Sequence, residues 1–538
     1  MTTRRRLLAG SSAMAGIAAL RIAHAQSSSP VTPNSFTPNN FTPGADPEAP
    51  QLDDVVAPGL QRDVIIRWGD PVLANAPPFR PGFVTEAAAA RQFGWDAIIA
   101  GIVNPPQAQD GIARIVMVLS HPDVAPRMVF PGGVDRPRIA GKMQGASVLN
   151  LSQRGGRWVV VDGGYQSRRI TDGTLCTITG PAAASIGPSV QGVLAPGIGC
   201  VTPWNTVLLP EGRTNSWVAR LADKAAGFSS PTVGAGFGWV VELDALNPTS
   251  FPAKRTALGR MPRAGTACGM AGDGSAIVFM TEDAPMGRLF RFKGAAPIGD
   301  GSGALDAGTL AVATLEGSSI VWRDLPPGLT SLTATLSAAS DGARFDAPAG
   351  MAIGADGTLY LACSGNPGRG VDQVDALNPR AGNGAGHILA LEPAGGDLAA
   401  SRFAGRVILL GGNPNTDPTA RYTPGSLAWL RSPYTLNFDA AHRLHVGTDQ
   451  GGAVTDTADG LFVMNVTGYG RYALDMLYLA PIGGAIGGAA FGPQGRAGFT
   501  VARHPGATPN ADFAHPATRW PTVQPDMPPQ TTVVSLTS

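Results

Sequence analysis

Short apolar runs punctuated by Gly/Asp turns dominate the chain, and within them hydrophobic residues tend to alternate with small or polar ones, the period of a strand. One pattern recurs as GMAGDGSAIVFMTED (269–283), GMAIGADGTLYLACSGN (350–366), TLNFDAAHRLHVGTDQG (435–451) and AAFGPQGRAGFTVARHPG (489–506). Each copy predicts a hairpin, because Asp-Gly and Gln-Gly supply the positive backbone angles of a tight turn. The copies start roughly 80, 85 and 55 residues apart, so they do not form a strict array. Hairpins separated by irregular insertions predict an all-β fold, a β-propeller whose long loops gather on one face. A jelly roll or two sandwiches also accommodate them. The first strand is expected in RDVIIRWGDPV (62–72), and the final QTTVVSLTS (530–538) is β-prone too. Pairing these two segments would complete a blade and remove an exposed edge.

The first 55 residues do not share this pattern. Arg4, Arg5 and Arg6 lie in TTRRRLLAG, a weakly apolar stretch follows over 7–20, and Ala23-His24-Ala25 precedes Gln26. This resembles a twin-arginine export signal over residues 1–25, with export machinery as its partner. The apolar stretch falls short of the roughly 20 residues needed to span a bilayer, so a stable membrane anchor is not expected. Residues 26–55, rich in Pro, Ser, Asn and Thr, read as a linker, leaving 56–538 as the propeller domain. The expected location is periplasmic or secreted.

Composition narrows the function. A formal net charge of +1 and only 15% charged residues give no basic field for nucleic acid. Cys176, Cys200, Cys268 and Cys363 are widely spaced, and export of an already folded chain favours free, mostly buried thiols. There is no G-x-S-x-G elbow, H-E-x-x-H pair, Walker loop or complete G-x-G-x-x-G.

The segment Gly238–Arg260, GWVVELDALNPTSFPAKRTALGR, closely resembles a signature of the PhoX-type secreted alkaline phosphatases. Further resemblance lies in DVIIRWGDPV (63–72), SRRITDGT (167–174), GPAAA (180–184), TPWNTVLLPEG (202–212), LNPRAGNGAGHILAL (377–391) and ARHPGA (502–507). The resemblance implies a six-bladed propeller and metal-dependent hydrolysis of phosphate monoesters, with iron and calcium in the site. Hard cations require carboxylate oxygens, a thiolate can join a ferric centre, and clustered metals activate the attacking oxygen and stabilise the leaving one.

At the positions where the family places such ligands, this sequence departs from the pattern. The family's His-Glu-Gly-Ala run becomes Arg263-Ala264, its Arg-Pro-Glu becomes Ala347-Pro348-Ala349, and its Ser-Pro-Asp-Asn becomes Ser432-Pro433-Tyr434-Thr435. Ser167, Gly197 and Ala485 replace an Asn, a Cys and a Glu, and His121 is followed by Pro122 where the family carries an acid.

The candidate site residues that remain are Arg168 and Arg169, forked donors for a phosphate, together with Glu211, Glu282, Asp283, Asn383, His387 and His504. Each also has an ordinary structural reading: an ion pair for the arginines, an exposed loop acid for Glu211, solvated turn residues for Glu282 and Asp283, satisfied histidines. Asp449, Asp456 and Asp459 lack the ligand order of an EF-hand. Two functions follow as expectations. One is a phosphomonoesterase with a rearranged metal set drawn from Glu211, Glu282, Asp283 and Cys200. The other is an inactive propeller acting as a periplasmic binding or scaffold protein, with a small phosphorylated ligand as a candidate partner.

Overall fold

Six inner strands surround one axis in this computed structural model, which describes residues 50–229, 233–299, 301, 303–495 and 498–538. In chain order they are Ile98–Val103, Cys200–Val201, Arg263–Met270, Pro348–Ile353, Pro433–Phe438 and Ala485–Phe491. Each pack against the next, and the last meets the first, closing the ring. From each, strands lead outward as a blade, antiparallel except where Ala253–Arg255 pairs parallel with Leu175–Thr179 in blade 2.

Closure falls where the two ends of the chain meet. Gln61–Arg67 pairs antiparallel with Thr532–Thr537, which also pairs with Gly498–Arg503, so blade 6 is built from both termini as the sequence predicts. Val55–Val56 pairs with Tyr478 and Leu479 on the outer edge of blade 5. Ordered pairing therefore begins inside the segment read as linker, and its boundary at residue 55 moves upstream. The export-signal arginines Arg4 and Arg5 lie outside the described residues.

The four sequence repeats are the inner hairpins of blades 3 to 6. Gly274, Gly357 and Gly495 take the left-handed turn position in three of them, and His442 takes it in blade 5. The apolar cores are wedges between neighbouring blades; Phe279 and Leu389 share the one between blades 3 and 4, Met117 and Phe499 the one between 6 and 1. Blades 3 and 4 are also joined at their rims, where Ser319–Asp324 pairs with Arg402–Leu410. Short helices around Trp95, Met128 and Trp217 cap part of one face. No helix among the described residues is long and apolar enough to cross a membrane.

Candidate functional site at one mouth of the axial channel

In a propeller every inner strand starts, and every second strand ends, on the same face. That geometry gathers Ala264, Ala349 and Tyr434 among the substituted positions singled out in the sequence, whereas Ser167 lies outside the mouth, bonded to Asn150 in an outer strand of blade 1. The Ile198 N–H donates to Ala264 O at 2.8 Å, a side chain on Gly265 would sit 2.7 Å from Ala349 O, and one on Gly350 would sit 2.6 Å from Tyr434 O. Ile98, Ile198 and Ala349 pack together with Tyr434, so residues from both sides of the ring meet across the axis in an apolar plug.

The acids around this plug are bonded to cations of the chain itself. Glu211, read as a loop acid, is fully buried: its carboxylate accepts from the N–H groups of Leu194, Gly238 and Trp239 and from Lys254 Nζ at 2.8 Å. Glu282 is likewise buried and not a solvated turn residue, accepting from Arg288 Nη1 at 2.8 Å. Asp283, half-buried, takes two bonds from Arg213. Arg503 lies between Asp96 and Asp449, at 2.8 and 2.5 Å, with its guanidinium 5.3 Å from the Tyr434 ring centre. Burial raises the Tyr434 hydroxyl far above the usual phenol range, against the influence of Arg503.

The remaining candidates divide. Arg168 donates to the carbonyls of Asp244, Pro248 and Ser250, fastening the turn within the Gly238–Arg260 segment. Arg169 donates to the carbonyls of Lys142, Met143, Gln144 and Ala146, and burial lowers its pKa to about 9. Asn383 and His387 are fully buried and bonded to each other at 2.9 Å; Asn383 also donates to Asp346, itself paired with Arg369. Burial, reinforced by Arg380 and Arg369, holds His387 neutral, at about 3. His504 stacks on Trp95, its Nδ1 3.2 Å from Gly483 O. His121, also buried neutral, contacts Asp96 O and Ser147 Oγ. Cys200 lies beyond the plug and lines the opposite end of the channel. The structure thus does not bring Glu211, Glu282, Asp283 and Cys200 together as one ligand set. Among the described residues, no three His, Cys, Asp or Glu side chains are grouped to hold a metal ion.

Sequence reasoning missed the cations. Arg263 is almost wholly buried, donating to the carbonyls of Gly238, Leu258, Gly259 and Met261, and so folds the signature segment around itself. Lys254, one of only four lysines, lies within that segment; its position there was the available signal. Beside the mouth, between blades 2 and 3, opens a cleft of about 270 Å³ lined by Arg213, Arg260, Pro262 and Asp283.

A six-bladed ring with its loops converging on one axial mouth defines the class: a β-propeller. A family model described as Alkaline phosphatase PhoX matches residues 41–506, and the chain belongs to the PhoX family. The structure is similar to Pseudomonas fluorescens PhoX in complex with vanadate, a transition state analogue, with a TM-score of 0.80, 25% identity, and coverage of 91% of this chain and 97% of that one. A gluconolactonase from Xanthomonas campestris aligns with a TM-score of 0.29 and 12% identity over 82% of this chain and 97% of its own. A Trichoderma reesei Carbohydrate-Active Enzymes Family AA12 structure gives 0.28 and 12% over 79% and 99%. No curated protein sequence matches the chain.

Proposed function

We propose that this chain is an exported PhoX-family propeller that binds a small phosphorylated ligand in the cleft beside the axial mouth without hydrolysing it. One observation carries the reading: the carboxylates around the plug are bonded to arginine and lysine side chains of the chain itself. A divalent or trivalent cation needs anionic oxygens to offset its desolvation. Here Lys254, Arg288, Arg213 and Arg503 already supply that positive charge, while Ala264, Ala349 and Ala485 offer no donor atom. The residues present do not fit an iron–calcium group, and no hydrolytic step is derived through one.

The cleft beside the plug suits a small anion. Arg213 and Arg260 each commit Nε and Nη2 to the protein, and both line the opening. The family match favours a second reading, a working phosphatase. It requires the acids to exchange their present partners for metal. Turnover of p-nitrophenyl phosphate with added calcium and iron, alongside calorimetric titration with inorganic phosphate, separates the two. Phosphate binding lost in Arg213→Ala without turnover supports the proposal; turnover at enzymatic rates contradicts it. Export by the twin-arginine route is part of the proposal, and replacing Arg4 and Arg5 by lysine should retain the protein in the cytoplasm.

A further inference from the structure

The opposite end of the channel holds a second cavity, of about 590 Å³, within the size range of small-molecule sites. It lies where the inner strands finish, and the Ile98–Ile198–Ala349–Tyr434 plug closes its inner end. The result is a blind cup, and it does not depend on what happens at the other mouth.

Its walls have an unusual hydrogen-bonding character. Each of the six inner strands is the terminal strand of its sheet, so along the edge facing the axis backbone N–H and C=O groups lie outside the sheet ladders; one of them, the Ala489 N–H, donates to Asn437 Oδ1 at 3.1 Å. Asn104, exposed at the rim, adds a side-chain amide that both donates and accepts, and Asn437, on the wall, adds its Nδ2 donor beside the Oδ1 that holds Ala489. Phe438 and Phe491 add apolar surface.

Charge is nearly absent. Among the described residues no lysine or arginine lines the cup, and its acid, Asp439, is already bonded to Arg443 at 2.7 Å and to His445 Nε2 at 3.0 Å. Among those residues an anion finds no cation, and a cationic ligand would compete with Arg443 for Asp439. A purely apolar ligand would bury such backbone groups without partners, which is costly. A peptide strand would follow one edge along a groove, whereas six edges converge here on a closed cup. What matches the walls is a compact neutral molecule with many hydroxyls and an apolar ring face.

We propose that this cup is a binding site for a neutral saccharide of one or two rings. Calorimetric titration of the full mature chain with D-glucose, D-galactose and maltose tests it, with glucose 6-phosphate as the charged comparison. At least one neutral sugar should bind at millimolar concentration or better. Asn104→Ala should weaken it about fivefold, the worth of one hydrogen bond. Ala440→Trp, placed on the exposed rim to cover the opening, should abolish it. Both changes lie on the surface, and an unchanged unfolding temperature establishes that they leave the fold intact. No heat with any of the three neutral sugars overturns the proposal, as does tighter binding of glucose 6-phosphate or binding that both variants leave unaltered.

Discussion

Replacing Lys254 by methionine probes the internal cations most sharply. Its ammonium and the Glu211 carboxylate are both 0% exposed, so water cannot take over a lost partner. Nζ donates to Glu211 Oε1 and to Gly236 O, each at 2.8 Å, and lies 4.0 Å from the Phe237 ring centre. Losing the charged bond costs about 1.5–3 kcal/mol, and the Gly236 carbonyl left without its donor costs about 1–3 kcal/mol more. The methionine recovers part of this by burying apolar surface, about 1–2 kcal/mol. The terms leave about 1.5–4 kcal/mol, and three backbone N–H groups still hold Glu211, so the loss lies toward or below the lower end of the usual cost of splitting a buried pair, about 3–5 kcal/mol. Against a typical stability of about 5–15 kcal/mol that is a large loss. Urea unfolding followed by tryptophan fluorescence measures it, since Trp239 is buried and its backbone N–H donates to Glu211 while its indole N–H donates to Ala235 O. Adding Glu211→Gln should recover about 2 kcal/mol of coupling in a double-mutant cycle. A loss below about 1 kcal/mol, or strictly additive effects, would show that the pair does not compensate itself.

Other consequences follow from the same geometry. Deleting Thr532–Thr537 removes Val533, Val534 and Leu536, all buried, from the closing blade; at about 1.5–3 kcal/mol each this approaches the whole stability, and limited proteolysis should find no folded core. Asp459 is pushed up to about 7 by burial and by Asp449, so the folded chain retains a proton that the unfolded chain releases above the ordinary 3.8. Stability therefore falls as pH rises from about 4 to about 7, and Asp459→Asn should flatten that slope and raise the unfolding temperature at pH 7.5 while leaving it nearly unchanged at pH 4. The low pKa of Asp449, where burial is outweighed by Arg503, acts only below that window. Burial pushes the thiols of Cys176 and Cys200 up to about 12, so a disulfide reagent at pH 8 should label them only after unfolding.

The sequence carried the closure of the ring more openly than its blades. Four inner hairpins were legible because a Gly or polar turn residue stands between two short apolar runs. Blades 1 and 2 were not: in one the hairpin is interrupted by residues 104–113, and in the other the inner strand is only Cys200–Val201. Alternation was also hidden in the second strands. Ser275–Glu282 and Gly498–Arg503 are buried at every position, since each blade is packed on both faces, whereas the rim strand Ser319–Asp324 alternates visibly. The mouth was located through its substituted positions, all of which lie at strand starts or ends. Its internal cations were invisible for a different reason. Asp96 and Arg503 stand 407 residues apart in the chain, and only ring closure brings them to 2.8 Å. Glu211 and Lys254 looked like an ordinary loop acid and one of a few scattered lysines until the buried segment around Gly238 joined them.

The central claim is that this mouth is neutralised from within. Elemental analysis of the isolated protein, before and after exposure to excess calcium and iron and removal of loosely held metal, distinguishes this state from a metal-bound one. With the acids already neutralised, less than one bound iron or calcium per chain is expected in both samples, with the same unfolding temperature with or without chelator. Stoichiometric iron or calcium, together with a fall in unfolding temperature when it is stripped, would contradict it.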